Sequence, residues 1–248
     1  MKKKLNQIKI IIVTFRSDSI IEKTLRTLKN FNVYLVENSN NKIFKKKIES
    51  KFKNVKCLLS GSNIGYGSAI NFAIKRIRSK FFLILNPDSF ISVKTIKKLY
   101  YSLEQNTSFD VIAPLTLDKK NRLHQRYGYF LNSKIKQNYF ENKELKQVDF
   151  VIGCAFLIRS NIFNKIGFFD ENYFMNYEEI DFFKRMRNKN CNILINKQCN
   201  VIHLEGKSSM IKGNKINSQK EFLKTSKWHL AWGKYYYYKK HYNLFITF

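Results

Sequence analysis

Short apolar runs alternate with amphipathic segments along the first hundred residues of the chain. The runs are rich in Ile, Val, Leu and Phe and end at turn-forming residues, a pattern typical of buried strands. These predicted strands are residues 8–15, 32–37, 55–59 and 81–85. Between them, apolar side chains at helical spacing predict helices over residues 17–30, capped by Ser17 or Asp18, over 43–52, and from the Gly-rich loop 61–67 to residue 77. Strict alternation of strand and helix predicts an α/β fold whose mainly parallel sheet carries helices on both faces.

The second half of the chain is less regular. Its predicted elements are a helix at 93–103, a strand at 111–115, a strand at 148–159, helices at 161–166 and 177–188, and strands at 191–195 and 199–203. The segment 118–147 is polar, basic and aromatic without a sustained period. The expected organisation is one domain over residues 1–205, with halves at 1–115 and 116–205, followed by a basic aromatic helical extension over 206–248.

Polar or Gly-rich residues follow three of the predicted parallel strands. Glu37, the loop 60–67 and the turn 86–89 all stand where a strand ends. Because ligands of open parallel sheets bind beyond the carboxyl ends of the strands, these segments predict one shared ligand site. The glycines of the loop would let its backbone approach a phosphate, although it is neither a GxGxxG motif nor a P-loop. A tight connection from strand to helix would need the same residues.

Asn86-Pro87-Asp88 places a carboxylate at the end of a buried strand. Hard divalent cations take oxygen ligands, and Mg²⁺ binds one or two carboxylates together with substrate phosphates. The same three residues also form ordinary turns, so the motif has a metal-binding and a structural interpretation. His203 ends a later predicted strand and has the same two interpretations, since a neutral imidazole can join a carboxylate on a divalent ion. Residues 207–209, Lys-Ser-Ser, could meet phosphates.

Three carboxylates, Glu178, Glu179 and Asp181, stand together at the start of a predicted helix. Acidic residues there stabilise the helix dipole, which is one explanation of the cluster. General-base catalysis or hydrogen bonding to substrate hydroxyls is the other. At helical spacing Glu178 and Asp181 share a face and Glu179 points elsewhere, which favours a division of labour.

Lys and Arg outnumber Asp and Glu by 46 to 18, which gives a formal charge of +28. Such an excess favours an anionic partner, namely nucleic acid, an anionic membrane or a phosphorylated substrate. The wealth of Lys, Asn and Ile is also typical of an AT-rich genome, which offers a neutral explanation. With 44% hydrophobic residues the chain is not globally disordered. The four cysteines lack metal-binding spacing, and no stretch reaches the roughly 20 apolar residues of a membrane span.

Seven collinear stretches resemble the family 2 glycosyltransferases of the GT-A fold, especially the rhamnosyltransferase-like branch that builds bacterial surface polysaccharides. They are Ile10-Ile11-Ile12-Val13-Thr14-Phe15, Val36-Glu37-Asn38-Ser39, Asn63-Ile64-Gly65-Tyr66-Gly67, Leu85-Asn86-Pro87-Asp88, Gly153-Cys154-Ala155-Phe156-Leu157-Ile158-Arg159, Ile166-Gly167-Phe168-Phe169-Asp170-Glu171 and Glu178-Glu179-Ile180-Asp181. Each is weak alone, and together they span roughly residues 8–209. The resemblance implies a nucleotide-sugar-binding half over 1–115 and an acceptor and catalytic half over 116–205.

The resemblance also implies roles for residues of the first half. Thr14 and Glu37 would line the nucleoside pocket of the donor site, with Asn63 and Gly65 nearby. Asp88 matches the last carboxylate of the family's DxD motif and would bind Mg²⁺ or Mn²⁺ at the donor diphosphate. Glu37 stands where the family usually has Asp, which leaves the base-specific contacts open.

In the second half, His203 matches a position that often completes the metal site. Glu179 stands where the family places its catalytic base, usually an Asp, so the base here has one extra methylene. Glu178 and Asp181 would bind or orient the acceptor, or orient the helix. The implied activity is inverting transfer of a sugar from a UDP- or dTDP-sugar to a glycan or lipid-linked acceptor.

Two other function classes stay open at this point. A sugar-phosphate nucleotidyltransferase would show a Gly-rich basic loop after the first strand, where this chain has Thr14-Phe15-Arg16. A non-catalytic nucleic-acid-binding protein is favoured by charge alone, because no helix-turn-helix, RRM or zinc pattern occurs.

The segment 224–242 interleaves lysines with Trp and Tyr. Such a helix could pack on the domain, lie at the interface of an anionic membrane, or stack on single-stranded nucleic acid. We expect packing, with or without membrane contact, and consider nucleic acid the weakest of the three. The expected location is therefore the cytoplasm, with peripheral contact to the inner face of the membrane.

Overall fold

A ten-stranded sheet runs through the centre of the protein. The computed structural model describes residues 5–131, 133, 140–204 and 215–242, without the side chains of Ser19 and of 215–223. The strands of the sheet, together with those of a small separate pair, are β1 (Ile8–Thr14), β2 (Asn32–Glu37), β3 (Val55–Leu59), β4 (Phe81–Leu85), β5 (Ser89–Ile91), β6 (Val111–Leu117), β7 (Leu123–His124), β8 (Tyr127–Gly128), β9 (Leu145–Val148), β10 (Phe150–Val151), β11 (Ala155–Arg159) and β12 (Ile193–His203). The main path of the sheet is β3-β2-β1-β4-β11-β6-β12-β5.

The two halves of this sheet differ in strand direction. From β3 to β4 all neighbours are parallel, as expected of alternating strands and helices. Strand β11 then runs antiparallel to both β4 and β6, and β12 is parallel to β6 but antiparallel to β5 and β9. The α/β fold class is confirmed, with parallel pairing concentrated in the first half of the sheet.

Helices cover both faces of the sheet. They are α1 (Asp18–Thr27), α2 (Lys42–Lys51), α3 (Tyr66–Ile74), α4 (Val93–Gln105), α5 (Ile162–Ile166), α6 (Glu178–Asn188) and α7 (Lys215–His241). Side chains of α1, α2 and α4 share one hydrophobic core with alternate residues of β1, such as Ile10 and Ile12. The other residues of β1, Ile11 and Val13, face a second core with α3, α5, α6 and α7. Burial on both faces explains why β1 is a continuous apolar run rather than an alternating one.

Strands β2, β3 and β4 have the predicted bounds, and several other predictions were wrong in detail. Residues 148–159 are not one strand, because the chain turns at 152–154 between β10 and β11. The strands predicted at 191–195 and 199–203 are one continuous strand, β12 (Ile193–His203), with a register shift between Asn196 and Asn200. Strand β5 was not predicted. Ser17 precedes α1 without a side-chain capping bond, since its hydroxyl donates to the carbonyl of Phe15.

The C-terminal helix α7 packs on the domain, as expected of the tail. Tyr237 is buried in the second core, and Gly233 lies against the segment that leads into α6. The carboxylate of Asp181 is fully buried, and Lys240 Nζ and His241 Nε2 lie 2.7 and 2.8 Å from its Oδ1. Arg185 donates to its other oxygen at 2.9 Å. One buried carboxylate therefore joins α6 to α7. The domain boundary at residue 205 stays a prediction.

Substitution of Asp181 by Asn should loosen this joint. Burial alone would raise the pKa of Asp181, but bonds from His241 and Lys240 and the charge of Arg185 outweigh it and hold the pKa at about 2. This depression from 3.8 corresponds to about 2 kcal/mol of unfolding free energy. Because the folded-state pKa is lowered, that contribution is present above pH 4 and disappears as the pH falls toward 2.

Urea unfolding of D181N against the unmodified chain measures the effect at pH 7 and at lower pH. The control is Glu144→Gln, since Glu144 pairs with Lys98 on the surface and such exposed pairs contribute little. Equal unfolding free energies for D181N and the unmodified chain at pH 7 would show that the buried pairs do not stabilise the protein.

Candidate active site

A cavity of about 480 Å³ opens beyond the carboxyl ends of β1 and β4. This volume lies within the roughly 300–1,000 Å³ of sites for small molecules and cofactors. Its lining comes from well-separated parts of the chain: Val13, Phe15, Ser17, Asn38, Asn63, Gly65, Tyr66, Asn86, Pro87, Arg126, Ile152, Gly153, Cys154, Phe174, Met175, Asn176, Glu178, Glu179, His203 and Thr225. The position agrees with the edge of the sheet that the sequence predicts for a ligand.

The loops that follow β2, β3 and β4 meet in this cavity through direct hydrogen bonds. Asn38 donates its side-chain amide to Asn63 Oδ1 at 2.9 Å, which joins the first two loops. The hydroxyl of Tyr66 donates to Asn86 Oδ1 at 3.0 Å, which joins the second and third. The predicted convergence of these segments is thus confirmed.

Gly65 occupies a position that only glycine can fill. Its φ is +85°, and a Cβ there would lie 2.5 Å from the carbonyl oxygen of Phe174. The adjacent Tyr66 N–H donates to that same oxygen at 3.0 Å. Gly65 therefore lets the loop after β3 close against the segment before α6, and both segments form the cavity wall.

Thr14 and Glu37, the expected nucleoside contacts, do not line the cavity. Thr14 is buried at the end of β1, and its neighbours Val13 and Phe15 take the lining positions. Glu37 accepts hydrogen bonds from the N–H groups of Ser39 and Asn41, so its carboxylate closes the turn after β2. Asn38 lines the cavity instead. In both places the lining position is offset by one residue, because successive side chains of a strand point to opposite faces.

The pairing of β5 with β12 brings Asp88 to His203. Ser89 lies opposite His203 in the register, and the N–H of Leu204 donates to the carbonyl of Asp88 at 3.1 Å. His203 Nε2 lies 3.2 Å from Asp88 Oδ1. The carboxylate is 0% exposed, yet within the described chain neither of its oxygens accepts a well-aligned hydrogen bond.

A buried carboxylate without donors is costly unless a cation or another partner compensates it. Asp88 and His203, one oxygen and one nitrogen ligand, fit a divalent ion that completes its coordination with substrate oxygens. No third His, Cys, Asp or Glu of the described residues joins this pair to make a metal-binding group. The stretch 207–209, expected near phosphates, lies outside the residues that the structure describes.

Glu178 and Glu179 enter the cavity from the first turn of α6. The two residues before them, Asn176 and Tyr177, have φ of +70° and +69°, a left-handed conformation that non-glycine residues rarely adopt. This turn reverses the chain so that the start of the helix faces the cavity. Strained backbone of this kind persists where surrounding contacts enforce it, and here Gly233 of α7 packs on both residues.

Burial changes the titration of both glutamates. Burial raises the pKa of Glu179 to about 7, partly opposed by hydrogen bonds from backbone N–H groups and by the charge of Arg126. Burial and the neighbouring Glu179 raise the pKa of Glu178 well above its usual range. Burial and its neighbour therefore favour the protonated form of Glu178, and burial brings the pKa of Glu179 close to neutral pH.

Gly153 makes room for the Glu179 carboxylate. A Cβ at this position would lie only 1.7 Å from Glu179 Oε1. Gly153 belongs to the irregular turn between β10 and β11, which interrupts the predicted strand 148–159. The interruption thus has a role in the site: it leaves space for the acid that the resemblance identifies as the base.

Asp181 lies outside this cavity. Its carboxylate joins α6 to α7 through ion pairs. Of the two roles expected for Asp181, orienting the acceptor or orienting the helix, the structure favours the second. The helix face expected to be shared by Glu178 and Asp181 does not bring both side chains into the cavity. At the very start of α6 the side chains of Glu178 and Glu179 both reach the cavity, since no preceding turn covers them.

Three contributors to the cavity had no signal in the sequence. Arg126 comes from the aperiodic segment 118–147, Phe174 from the connection to α6, and Thr225 from α7. Phe174 also stacks on His229 of α7 with ring centroids 4.6 Å apart. Part of the site wall is therefore built by a helix that lies far along the chain.

The profile of the family described as Glycosyl transferase family 2 matches residues 9–167, well over half of the chain. The chain belongs to glycosyl transferase family 2. Membership decides between the three function classes in favour of glycosyl transfer. The matched residues extend from β1 to the end of α5 and stop before the pair of glutamates on α6.

Named relatives share part of this family 2 chain. The low-salt glycan biosynthesis hexosyltransferase Agl10 of Haloferax volcanii is 29% identical over 209 residues, which cover 80% of this chain and 66% of that protein. The N-acetylglucosaminyl-diphospho-decaprenol L-rhamnosyltransferase of Mycobacterium tuberculosis is 22% identical over 71% of this chain and 69% of its own. The chain thus spans about two thirds of the length of these relatives.

The crystal structure of GalNAc-T7 with UDP, GalNAc and Mn²⁺ superposes with a TM-score of 0.66 at 16% identity. The match covers 82% of this chain and 45% of that one. At this identity the likeness establishes a shared fold, and it supports the GT-A fold expected from the sequence.

Substitution of Gly153 by Ala should displace the Glu179 carboxylate, since the added methyl would overlap its oxygen. We expect a folded protein whose kcat for sugar transfer falls about 100-fold, the typical cost of moving a catalytic group by about 1 Å. The control is Gly167→Ala. Gly167 has φ +81° and open space around it, so that change costs stability without touching the site. A G153A protein with unaltered kcat would remove the steric argument.

Proposed function

We propose that this family 2 protein is an inverting glycosyltransferase that uses a UDP- or dTDP-sugar, with Glu179 as its catalytic base. The observation that carries the proposal is a buried glutamate of raised pKa in a cavity that is also lined by His203, whose Nε2 lies 3.2 Å from the buried carboxylate of Asp88. Relatives named as a hexosyltransferase and a rhamnosyltransferase support a hexose-type donor.

Glu179 meets the requirements of a general base. A base works best when its pKa lies near the working pH, and burial brings Glu179 to about 7. Its carboxylate would take the proton of an acceptor hydroxyl while that oxygen attacks the anomeric carbon and the bond to the nucleotide diphosphate breaks. One displacement of this kind inverts the configuration.

Glu178 would act differently from its neighbour. Burial and the neighbouring Glu179 favour its protonated form, which can donate a hydrogen bond where an ionised carboxylate cannot. Its Oε2 has no partner within the described residues although it is buried, so this oxygen is available to a substrate hydroxyl. We assign Glu178 to holding the acceptor or donor sugar.

Asp88 and His203 would hold Mg²⁺ or Mn²⁺. Such an ion neutralises charge on a leaving diphosphate. The chain itself holds the Asp88 carboxylate in a water-excluded position after β4. The preceding residue is fixed there, because the carbonyl of Pro87 accepts a 2.6 Å hydrogen bond from Thr24. The solved structure of GalNAc-T7, with UDP and Mn²⁺, supports this assignment.

The proposed acceptor is a glycan or a lipid-linked glycan of surface polysaccharide synthesis. Support comes from the relative named for N-acetylglucosaminyl-diphospho-decaprenol and from the relative named for glycan biosynthesis. Screening UDP-, dTDP- and GDP-sugars with Mn²⁺ by thermal shift identifies the donor.

Glu179→Gln should abolish transfer and leave donor binding nearly intact, because Gln keeps the shape but cannot accept the proton. The unmodified enzyme should show kcat/KM that rises with pH through about 7, where the pair of glutamates loses a proton. The matched control is Glu178→Gln. Since burial favours the neutral form of Glu178, this change should reduce activity less than E179Q and keep the pH profile.

These variants are compared by the pH dependence of sugar transfer and by calorimetry of donor binding. Residual transfer by E179Q with the same pH profile as the unmodified enzyme would remove Glu179 from the base role. Equal losses in E178Q and E179Q would show that the two glutamates do not divide their work as proposed.

Asp88→Asn should strongly weaken Mn²⁺-dependent binding of the nucleotide diphosphate, because an uncharged amide oxygen binds a divalent cation much more weakly than a carboxylate does. Calorimetry of UDP and dTDP binding, with and without Mn²⁺, measures this without a need for activity. Asp118→Asn is the control, since Asp118 pairs with Arg122 in an exposed turn. If D88N binds nucleotide with the same dependence on Mn²⁺, the metal site lies elsewhere.

A further inference from the structure

The outward face of α7 carries a continuous stripe of aromatic side chains bounded by lysines. Trp228, Trp232 and Tyr235 follow one another at helical spacing, and Lys224 and Lys239 extend the same line by one turn at each end. We call these five residues the aromatic stripe. At 1.5 Å per residue the stripe is roughly 22 Å long.

The rings of the stripe are exposed although they are large and apolar. Trp228, Trp232 and Tyr235 are 61%, 39% and 41% exposed. The two indoles stack nearly parallel, with centroids 6.1 Å apart, so the stripe is ordered in place by its own contacts. Exposed apolar patches on a folded domain mark a surface that another partner covers.

Charge favours an anionic partner. The segment 224–242 contains five lysines and no Asp or Glu. Of these lysines, only Lys240 turns inward, to Asp170 and Asp181. Within the part of the chain that the structure describes, no carboxylate pairs with Lys224 or Lys239. Aromatic rings flanked by lysines suit the boundary between lipid headgroups and acyl chains, where rings enter and ammonium groups stay at the phosphates.

The stripe lies beside the mouth of the active-site cavity. Thr225, which lines the cavity, is the immediate neighbour of Lys224 in the same turn of α7. The opposite face of the helix is fixed to the domain through Tyr237 and Gly233 and through the ion pairs to Asp181. A surface that covers the stripe therefore meets the cavity mouth in a set orientation.

We propose that the aromatic stripe is a docking surface for an anionic lipid bilayer. No helix of the described residues is long and apolar enough to cross a membrane, and α7 would lie in the plane of the interface. Docking in this way places the cavity mouth at the bilayer surface. The docking itself is independent of the proposed function, and only its consequence for a lipid-linked acceptor rests on that function.

The chain carries its own probe for this test, because its only two tryptophans, Trp228 and Trp232, both belong to the stripe. The full chain is mixed with vesicles of phosphatidylcholine and phosphatidylglycerol, or of phosphatidylcholine alone, without donor or acceptor. We expect a blue shift of tryptophan emission with the anionic vesicles and quenching by lipids brominated on their acyl chains. Salt should weaken the binding, since it screens the lysines.

Two variants test the two components of the stripe by co-sedimentation. Replacement of Trp228, Trp232 and Tyr235 by Ala, a strong helix former, should lower the partition constant about tenfold or more. Lys224→Gln with Lys239→Gln should lower it by a similar factor, because each lysine near an anionic surface contributes roughly fivefold. The matched controls are Ile43→Ala, which removes another exposed apolar side chain, and Lys46→Gln with Lys53→Gln. Both controls should bind vesicles like the unmodified chain.

Several results would overturn the proposal. They are an absence of vesicle binding at low salt, equal binding by the aromatic variant, and a lipid-independent blue shift that grows with protein concentration and accompanies dimers in sedimentation. The last result would assign the stripe to a second copy of the chain. Calorimetry of UDP and dTDP binding with Mn²⁺ on the same variants separates this test from that of the proposed function, since the stripe does not line the cavity.

Discussion

The buried carboxylate of Asp181 is the contact on which the arrangement of the active site depends. It holds Arg185 of its own helix and Lys240 and His241 of α7, so α6 and α7 cannot move apart without exposing a charge. With α7 fixed, Gly233 packs against the left-handed turn at Asn176 and Tyr177. That turn aims the first two residues of α6 into the cavity. A structural ion pair outside the site thus helps to determine where Glu178 and Glu179 point.

Environment separates the roles of three acids within one turn of helix. Asp181 is surrounded by cations, and its pKa falls to about 2. Burial raises the pKa of Glu179 to about 7, and burial together with its neighbour raises that of Glu178 further. All three carboxyl groups are buried, so burial alone does not explain why their pKa values differ. The difference comes from the hydrogen-bond donors and cations around each group. This distribution suits the proposed catalysis: one charge is held for structure, one acid favours its protonated form and one titrates near neutral pH.

Local pattern predicts the elements of the first half of the chain well, because alternating apolar and amphipathic segments dominate its folding. It places β2, β3 and β4 correctly and brings the loops after them together. The resemblance gave Thr14 and Glu37 as nucleoside contacts, and the cavity is lined by their neighbours Val13, Phe15 and Asn38 instead, because a sequence match does not determine the direction of a side chain. Local pattern fails for Arg126 and Thr225, because an aperiodic segment and a distant helix reach the cavity only through tertiary contacts. The pairing of β5 with β12, which joins Asp88 to His203, is equally non-local.

The two faces of α7 differ: the inward face pairs with Asp170 and Asp181 of the domain, and the outward face carries the aromatic stripe. A basic tail attached by a loose connection would bring the protein to an anionic surface but leave its orientation free. Asp170 and Asp181 bind the inward lysine and histidine of α7, which removes that freedom. The helix then presents its outer face at a fixed angle to the cavity mouth. In the proposed docking, a membrane that binds the outer face would therefore also fix the orientation of the active site, with no change in the fold.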